Sequence, residues 1–181
     1  MGVPPLCTFK QHLLANSVFH LFIALSLCLQ VPIFQNYYLC LGYVAMTVYC
    51  YSIGTVSGTI VGTLGVILYC LLISGLRGMP GWAMGNLFLG IIMGITFKCV
   101  KKIKRPIIET IISVIVIIAA TAIAMLVIKS YVECLLYSQP FLLRVGTNIY
   151  AFIADAFVII VSLPICRTIE PYINKILKKN V

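Results

Sequence analysis

Long apolar runs separated by short polar segments constrain this chain more than any other feature. Residues 106–128 read PIIETIISVIVIIAATAIAMLVI, with Glu109 as the charged residue, placed in the first turn where a carboxylate suits a helix dipole. This length matches the roughly 20 residues that a transmembrane helix needs, and it is greater than the usual length of a buried β-strand. The chain is 62% hydrophobic and 9% charged, whereas soluble domains carry roughly 25% charged residues. We therefore expect a polytopic membrane protein.

The apolar runs predict an all-α fold, a six-helix transmembrane bundle that forms a single transmembrane domain over residues 1–181. The predicted spans cover about 13–33, 41–53, 55–73, 82–97, 106–128 and 145–166. The second span is short for an upright membrane helix, so we expect it to tilt or to be shielded by its neighbours. Three outer segments are expected: a loop formed by residues 34–38, the turn with Arg77, and a loop holding Lys129, Glu133 and Arg144.

Small residues recur at four-residue spacing along the middle of the chain. They are Gly54, Gly58 and Gly62, then Gly81 and Gly85, then Gly90 and Gly94. In an apolar helix this spacing lines one face with glycine, so that two backbones pack closely. A polar turn with Arg77 separates the two halves, and Trp82 follows it. We interpret the stretch as a membrane hairpin with a functional tip. The alternative is that the glycines serve helix packing only.

The basic residues indicate the orientation. The net charge is +9, and five Lys or Arg residues cluster after the span 82–97, with more in the tail. Cytoplasmic loops of membrane proteins carry such an excess, so both termini are predicted to be cytoplasmic and nucleic-acid binding is not expected. No A-x-A cleavage site follows the first apolar run, which we take as a span in the plasma membrane of a prokaryote.

Catalytic and metal-binding patterns are not found. The sequence has no phosphate-binding loop, no HExxH, no GxSxG and no paired carboxylates, so neither an enzyme nor a cofactor is predicted. The eight cysteines form no CxxC pair, so no metal site is predicted, although Cys40 and Cys134 on the outer side allow a disulfide. Asp155 lies deep in a span, where an ionisable residue marks function by default. The other interpretation of Asp155 is a hydrogen bond to a neighbouring helix, or protonation.

Hydrophilic side chains gather near the predicted outer ends of the spans. We expect them to line one polar cavity for a small molecule, in which Trp82 stacks on a ring and Arg77 or Arg144 pairs with a carboxylate or phosphate. The candidate substrate-binding residues are Asn36, Tyr37, Tyr43, Arg77, Trp82, Asn86, Arg144, Asn148 and Asp155. The alternative is an aromatic belt with snorkelling arginines, which accounts for Trp82 but poorly for Asn86.

Several segments together resemble the substrate-binding S components of energy-coupling factor (ECF) vitamin transporters. They are Ala24-xxx-Cys28, GTVSGTIVGTLGVILYCLLISG, GMPGWAMGNLFLGIIMG and NIYAFIADAFVIIVSLPICRTIEPY. The resemblance implies a subunit that binds one vitamin-like substrate in an outward-open pocket. It also implies docking through Ala24 and Cys28 on an ECF transmembrane subunit that is powered by two separate ATPase subunits. Cys28 stands where the family's surface has alanine.

Two other functions remain open from the residues themselves. A self-sufficient secondary transporter or channel would use Asp155 as a proton-coupling site, and a membrane scaffold would tolerate changes at Asn86 and Arg77. The sequence does not identify the substrate.

Overall fold

The computed structural model describes residues 30–34, 37–74, 78–103 and 105–179, with side chains for residues 40–72, 78–103 and 105–175. The elements in chain order are β1 (Gln30–Phe34), β2 (Tyr37–Cys40), α1 (Gly42–Ser52), α2 (Thr55–Tyr69), α3 (Met79–Val100), α4 (Pro106–Ala122), α5 (Ser130–Tyr137) and α6 (Phe141–Lys179). A π-helical turn, Cys70–Ser74, continues α2, and a π-helical segment, Ile123–Lys129, joins α4 to α5.

Four of the described helical stretches are long and apolar enough to cross a membrane. They are Thr55–Leu72, Met79–Val100, Pro106–Tyr137 and Phe141–Lys175. The protein is thus a helical, multi-pass membrane protein. The six-span, single-domain organisation stays a prediction, because most of the predicted span 13–33 lies outside the described residues.

A short β-hairpin precedes the helices where the sequence predicts the end of a span and a loop. Strands β1 and β2 pair antiparallel, with Gln30 opposite Cys40 and an irregularity between Pro32 and Phe34. The helical prediction is therefore wrong for residues 30–33. Pro32 disrupts a helix interior, whereas Val31, Phe34 and Tyr37 favour strands.

Helix α1 is short but enclosed. Its 11 residues span about 16 Å, roughly half of a bilayer core. Tyr43, Met46 and Tyr49 on this helix are among the largest fully buried side chains, and they join the main apolar core with residues of α3, α4 and α6. The long helices turn other apolar side chains outward, such as Ile107 and Leu142, which are 74% and 81% exposed. Such a surface suits lipid.

Glycines set the closest helix contacts, as the four-residue spacing predicts. A Cβ atom at Gly58 of α2 would lie 2.7 Å from the backbone nitrogen of Cys50 on α1. A Cβ atom at Gly90 of α3 would lie 2.7 Å from the Cα atom of Thr59 on α2. Gly54 joins α1 to α2 with a φ of 132°, a conformation that side chains rarely adopt. The glycines therefore permit the packing of α1, α2 and α3.

The bundle has two chemically different ends. At the basic end, α1 and α3 finish, α2 and α4 begin, and Lys98, Lys101, Lys102 and Arg105 lie near one another in sequence. At the hairpin end, α3 and α6 begin, α5 finishes, and β2 packs against α6. The site described below lies towards the hairpin end.

The connection between the last two long helices differs from its prediction. Lys129 and Glu133 lie in one continuous helical stretch, Pro106–Tyr137, rather than in a loop, and Arg144 lies in α6. The connecting segment is only Ser138–Pro140, where Ser138 has a left-handed φ of 52° and Pro140 precedes the first residue of α6. The tail is also helical, because α6 continues through Pro164 and Pro171.

Candidate substrate-binding site

A relay of hydrogen bonds joins three helices near the hairpin end. The Trp82 Nε1–H donates to the Tyr43 hydroxyl oxygen at 2.9 Å, and the Tyr43 hydroxyl donates to Asn86 Oδ1 at 2.7 Å. The Asn86 Nδ2 group then donates to the carbonyl oxygen of Gly62 at 3.1 Å. Tyr43 and Asn86 are both 0% exposed. Because buried polar groups are costly without partners, this relay holds α1, α2 and α3 in one arrangement.

Helical spacing explains how α3 supplies this relay. Trp82 and Asn86 are four residues apart, so both side chains lie on one face of the helix. The Trp82 ring packs edge to face on Tyr69 of α2, with ring centroids 5.7 Å apart and an interplanar angle of 76°. The indole is half-buried, so it is the accessible end of the relay.

Asp155 joins the same site from α6. It is 4% exposed, its carboxyl group faces the Tyr43 hydroxyl, and it interacts electrostatically with Lys129. The Lys129 ammonium in turn lies 5.9 Å from the Trp82 ring centroid. A carboxyl group and an ammonium group therefore both lie beside the relay. The sequence pattern assigned Lys129 to a loop, and Lys129 was not included among the candidate site residues. A lysine at the end of a long apolar run is nevertheless a candidate for a functional ionisable group.

A second buried cluster lies between α5 and α6. The Asn148 Nδ2 group donates to Ser130 Oγ at 3.0 Å and to Glu133 Oε2 at 3.2 Å. Glu133 Oε2 also lies 3.7 Å from Arg144 Nη1. The Nε atom of Arg144 is buried without a partner, and its guanidinium carbon lies 5.4 Å from the Tyr137 ring centroid. Ser130 and Glu133 were not among the predicted site residues, because no motif or spacing marks them.

Two glycines of α3 bring the second cluster against this helix. A Cβ atom at Gly81 would lie 2.9 Å from Glu133 Cγ, and one at Gly85 would lie 2.9 Å from the carbonyl oxygen of Ala124. The first half of α3 thus has the relay on one face and the α5 cluster on the adjacent face, with Lys129 between them. Asn86 and Asn148 belong to separate hydrogen-bonded clusters.

The predicted site residues fall into three groups. Tyr43, Trp82, Asn86 and Asp155 come together in the relay, and Arg144 and Asn148 meet in the second cluster. Tyr37 contributes backbone to β2, and its side chain lies outside the described ones. Asn36 and Arg77 lie outside the described residues, as do the predicted partner-binding residues Ala24 and Cys28.

The basic end has its own polar network, which the predicted site does not include. The Tyr51 hydroxyl donates to Glu109 Oε1 at 3.1 Å, and Arg167 Nη2 lies 3.4 Å from the same oxygen. Lys101 pairs with Glu170 and lies 3.9 Å above the Tyr51 ring. Three of the four acidic residues thus form ion pairs with basic residues, and the fourth, Asp155, interacts electrostatically with Lys129.

The described residues offer little for metal or disulfide chemistry. No group of three or more His, Cys, Asp or Glu side chains in that part of the chain is arranged to hold a metal ion. Cys134 is a free cysteine, so the disulfide that the predicted positions of Cys40 and Cys134 allowed is not formed. The relay and the second cluster provide hydrogen-bonding groups and aromatic rings.

Comparison with known proteins identifies a family for the chain. No curated protein matches the chain. A family model described as ECF-type riboflavin transporter, S component, matches residues 18–170, which is most of the chain. S components are membrane subunits that bind a substrate for vitamin uptake, and the family is one of transporters rather than enzymes. The chain belongs to the family of ECF-type riboflavin transporter S components.

Proposed function

We propose that this protein is the membrane subunit that captures a riboflavin-type vitamin at the hairpin end. The observation that carries the proposal is the family match over residues 18–170. Support comes from the buried relay of Trp82, Tyr43 and Asn86, which ends at a half-buried indole.

The chemistry of such a ligand fits the groups around the relay. A flavin has a flat ring system with amide-like edges and a hydroxylated side chain. Trp82 offers a ring for stacking, while Asp155 and Lys129 offer an acceptor and a donor. Asn148 and Arg144 of the second cluster extend the polar wall. We propose that Asn36, Tyr37 and Arg77 complete it from the hairpin turn and the α2–α3 connection.

Tyr43 and Asn86 act as positioning residues in this proposal. Their hydrogen-bonding groups are engaged with each other, with Trp82 and with Gly62. A ligand that stacks on the indole would therefore meet a ring already oriented by the relay. Such preorganisation raises affinity by lowering the entropy lost on binding.

Energy for uptake comes from separate subunits in this proposal. The chain docks through Ala24 and Cys28 on an ECF transmembrane subunit, which two ATPase subunits drive. The basic end faces the cytoplasm of a prokaryotic cell, both termini lie inside, and the predicted span 13–33 completes a six-helix domain. The concentration of Lys and Arg at one end supports this orientation. A carboxy-terminal alkaline phosphatase fusion that is active in intact cells would contradict it.

Riboflavin binding by the purified protein tests the proposal. Trp82 is the only tryptophan of the chain, so quenching of its fluorescence follows the titration directly. We expect saturable quenching in the wild type. Asn86→Leu should bind about tenfold or more weakly, because it leaves the Tyr43 hydroxyl without its acceptor. Asn174→Leu makes the same change at an exposed position of α6 near the basic end and should bind like the wild type.

Two results would reject the proposed function. One is the absence of saturable riboflavin binding by well-folded wild-type protein. The other is riboflavin uptake into proteoliposomes that is driven by a proton gradient without any ATPase, which would favour the secondary transporter.

A further inference from the structure

A cavity of about 500 Å³ opens at the basic end, far along the bundle from the relay. It lies where α1 ends, α2 begins and the last turns of α3 pass, and it is lined by Ser52, Gly54, Ser57, Gly94, Lys98 and Lys101, among others. Its volume lies within the range of roughly 300–1,000 Å³ that is typical of small-molecule sites. The proposed vitamin site does not use this cavity.

The charge of the cavity lining is positive. Lys98 and Lys101 both contribute, and none of the residues that line the cavity is acidic. Lys101 is engaged with Glu170 and with the carbonyl oxygen of Tyr51. Lys98 is exposed and has no ion pair with any residue in the described part of the chain. The lining therefore retains one uncompensated positive charge.

Hydrogen-bond donors without partners accompany this charge. Helix α2 starts at the cavity without a side-chain cap, so the amide groups of its first turn have no acceptor within the helix. Ser52 carries a buried hydroxyl oxygen without a hydrogen-bond partner in the described structure. Such a hydroxyl inside a protein normally has a partner, so its isolation points to a missing one.

An anion with several acceptor oxygens matches these donors. Phosphate binds at helix N-termini because backbone amides and the helix dipole favour negative charge there, and a lysine adds a point charge. Basic pockets between transmembrane helices also accept phosphorylated lipid headgroups. We propose that the cavity at the basic end binds a phosphate group, carried either by a soluble phosphorylated molecule or by an anionic phospholipid. This inference does not depend on the vitamin site.

The test compares two lysines that differ in their position relative to the cavity. Lys98→Gln removes a charge from the lining, whereas Lys102→Gln removes one from an exposed position that does not line it. The first probe is inorganic phosphate added to full-length protein in detergent, with chloride at equal ionic strength as the reference. The second probe is a nanodisc of phosphatidylcholine with or without phosphatidylglycerol. The readout is the midpoint of thermal unfolding, because a ligand that binds the folded state raises it.

We expect at least one probe to raise the midpoint for the wild type and for Lys102→Gln. In Lys98→Gln, the apparent affinity for that probe should fall by about tenfold or more. Stabilisation by inorganic phosphate assigns the site to a soluble phosphorylated ligand, and stabilisation by phosphatidylglycerol alone assigns it to a lipid. Riboflavin binding should be unchanged in both variants. Ser57→Leu, which fills the cavity without changing its charge, should lose the response as well.

Two results would overturn the inference. In one, neither probe stabilises the wild type. In the other, Lys98→Gln and Lys102→Gln respond equally, which would mean that the probes act on the overall charge of the basic end.

Discussion

The hairpin end and the basic end both hold ion pairs, but they bury them to different depths. The side chains of Glu133 and Arg144 at the hairpin end are 6% and 20% exposed. Those of Lys101 and Glu170 at the basic end are both 28% exposed. The Glu133 carboxylate is therefore the most enclosed of these four charged groups. The difference teaches that two similar charge pairs should contribute differently to stability, because an enclosed charge depends on its partner more than an exposed one does.

Glu133→Gln should lower the free energy of unfolding more than the other variants considered below. The variant keeps a side-chain amide near Asn148 but leaves Arg144 partly buried without its counter-charge. We expect a loss of about 3 kcal/mol in the free energy of unfolding. Chemical unfolding in mixed detergent micelles measures it. A loss no larger than that caused by the equivalent change at the basic end would show that burial does not distinguish the two ends.

The second-largest effect is expected from a pair of variants, Tyr43→Phe and Tyr51→Phe, which make the same change at opposite ends of α1. They should differ in unfolding free energy and in riboflavin affinity. The first removes the partner of both Trp82 Nε1–H and Asn86 Oδ1, so we expect a loss of about 2 kcal/mol in unfolding free energy and weaker riboflavin binding. The second removes a part-buried contact with Glu109, which keeps Arg167 as a partner, and should leave riboflavin binding unchanged because it lies at the basic end. Unfolding curves and riboflavin titrations of the two variants test this. Equal riboflavin affinities would contradict the positioning role of Tyr43.

Glu170→Gln should have the smallest effect. The partner, Lys101, is solvated and also bonds to the carbonyl oxygen of Tyr51. We expect a loss of about 0.5 kcal/mol, which high salt should abolish because salt screens exposed charges. Unfolding measured at low and high salt checks both statements. A large loss that is insensitive to salt would place this pair in the same class as Glu133 and Arg144.

The membrane class, the glycine packing and several members of the hydrogen-bonded relay could be predicted from the sequence. Apolar runs and basic clusters follow from the energetics of the bilayer, which act on composition directly. The spacing of Gly58, Gly62, Gly90 and Gly94 encodes helix contacts through the period of the helix. Trp82 and Asn86 could be selected from the sequence because polar groups at membrane depth are costly without partners.

The buried charges, the β-hairpin and the cavity could not be predicted, because they depend on contacts that a linear sequence pattern does not contain. Glu133 and Lys129 resembled loop residues because charges usually end a span, and only Gly81 and Arg144 provide the space and the counter-charge that keep Glu133 inside. The hairpin was missed because Val31, Pro32 and Ile33 continue an apolar run. The cavity at the basic end was missed because it is lined by residues of three helices, of which α3 is distant in sequence from α1 and α2, together with Gly54, whose φ is positive.

The π-helical segment between Ile123 and Lys129 has a consequence for what the long helix presents to the interior. A regular α-helix turns by about 100° per residue, so Glu133 would point nearly opposite to Ile117 and Ala124. The wider turns accommodate extra residues and rotate the remainder of the helix back. One continuous helix can thereby bury an apolar face over most of its length. At its C-terminal end it then directs hydrophilic side chains towards the same interior side.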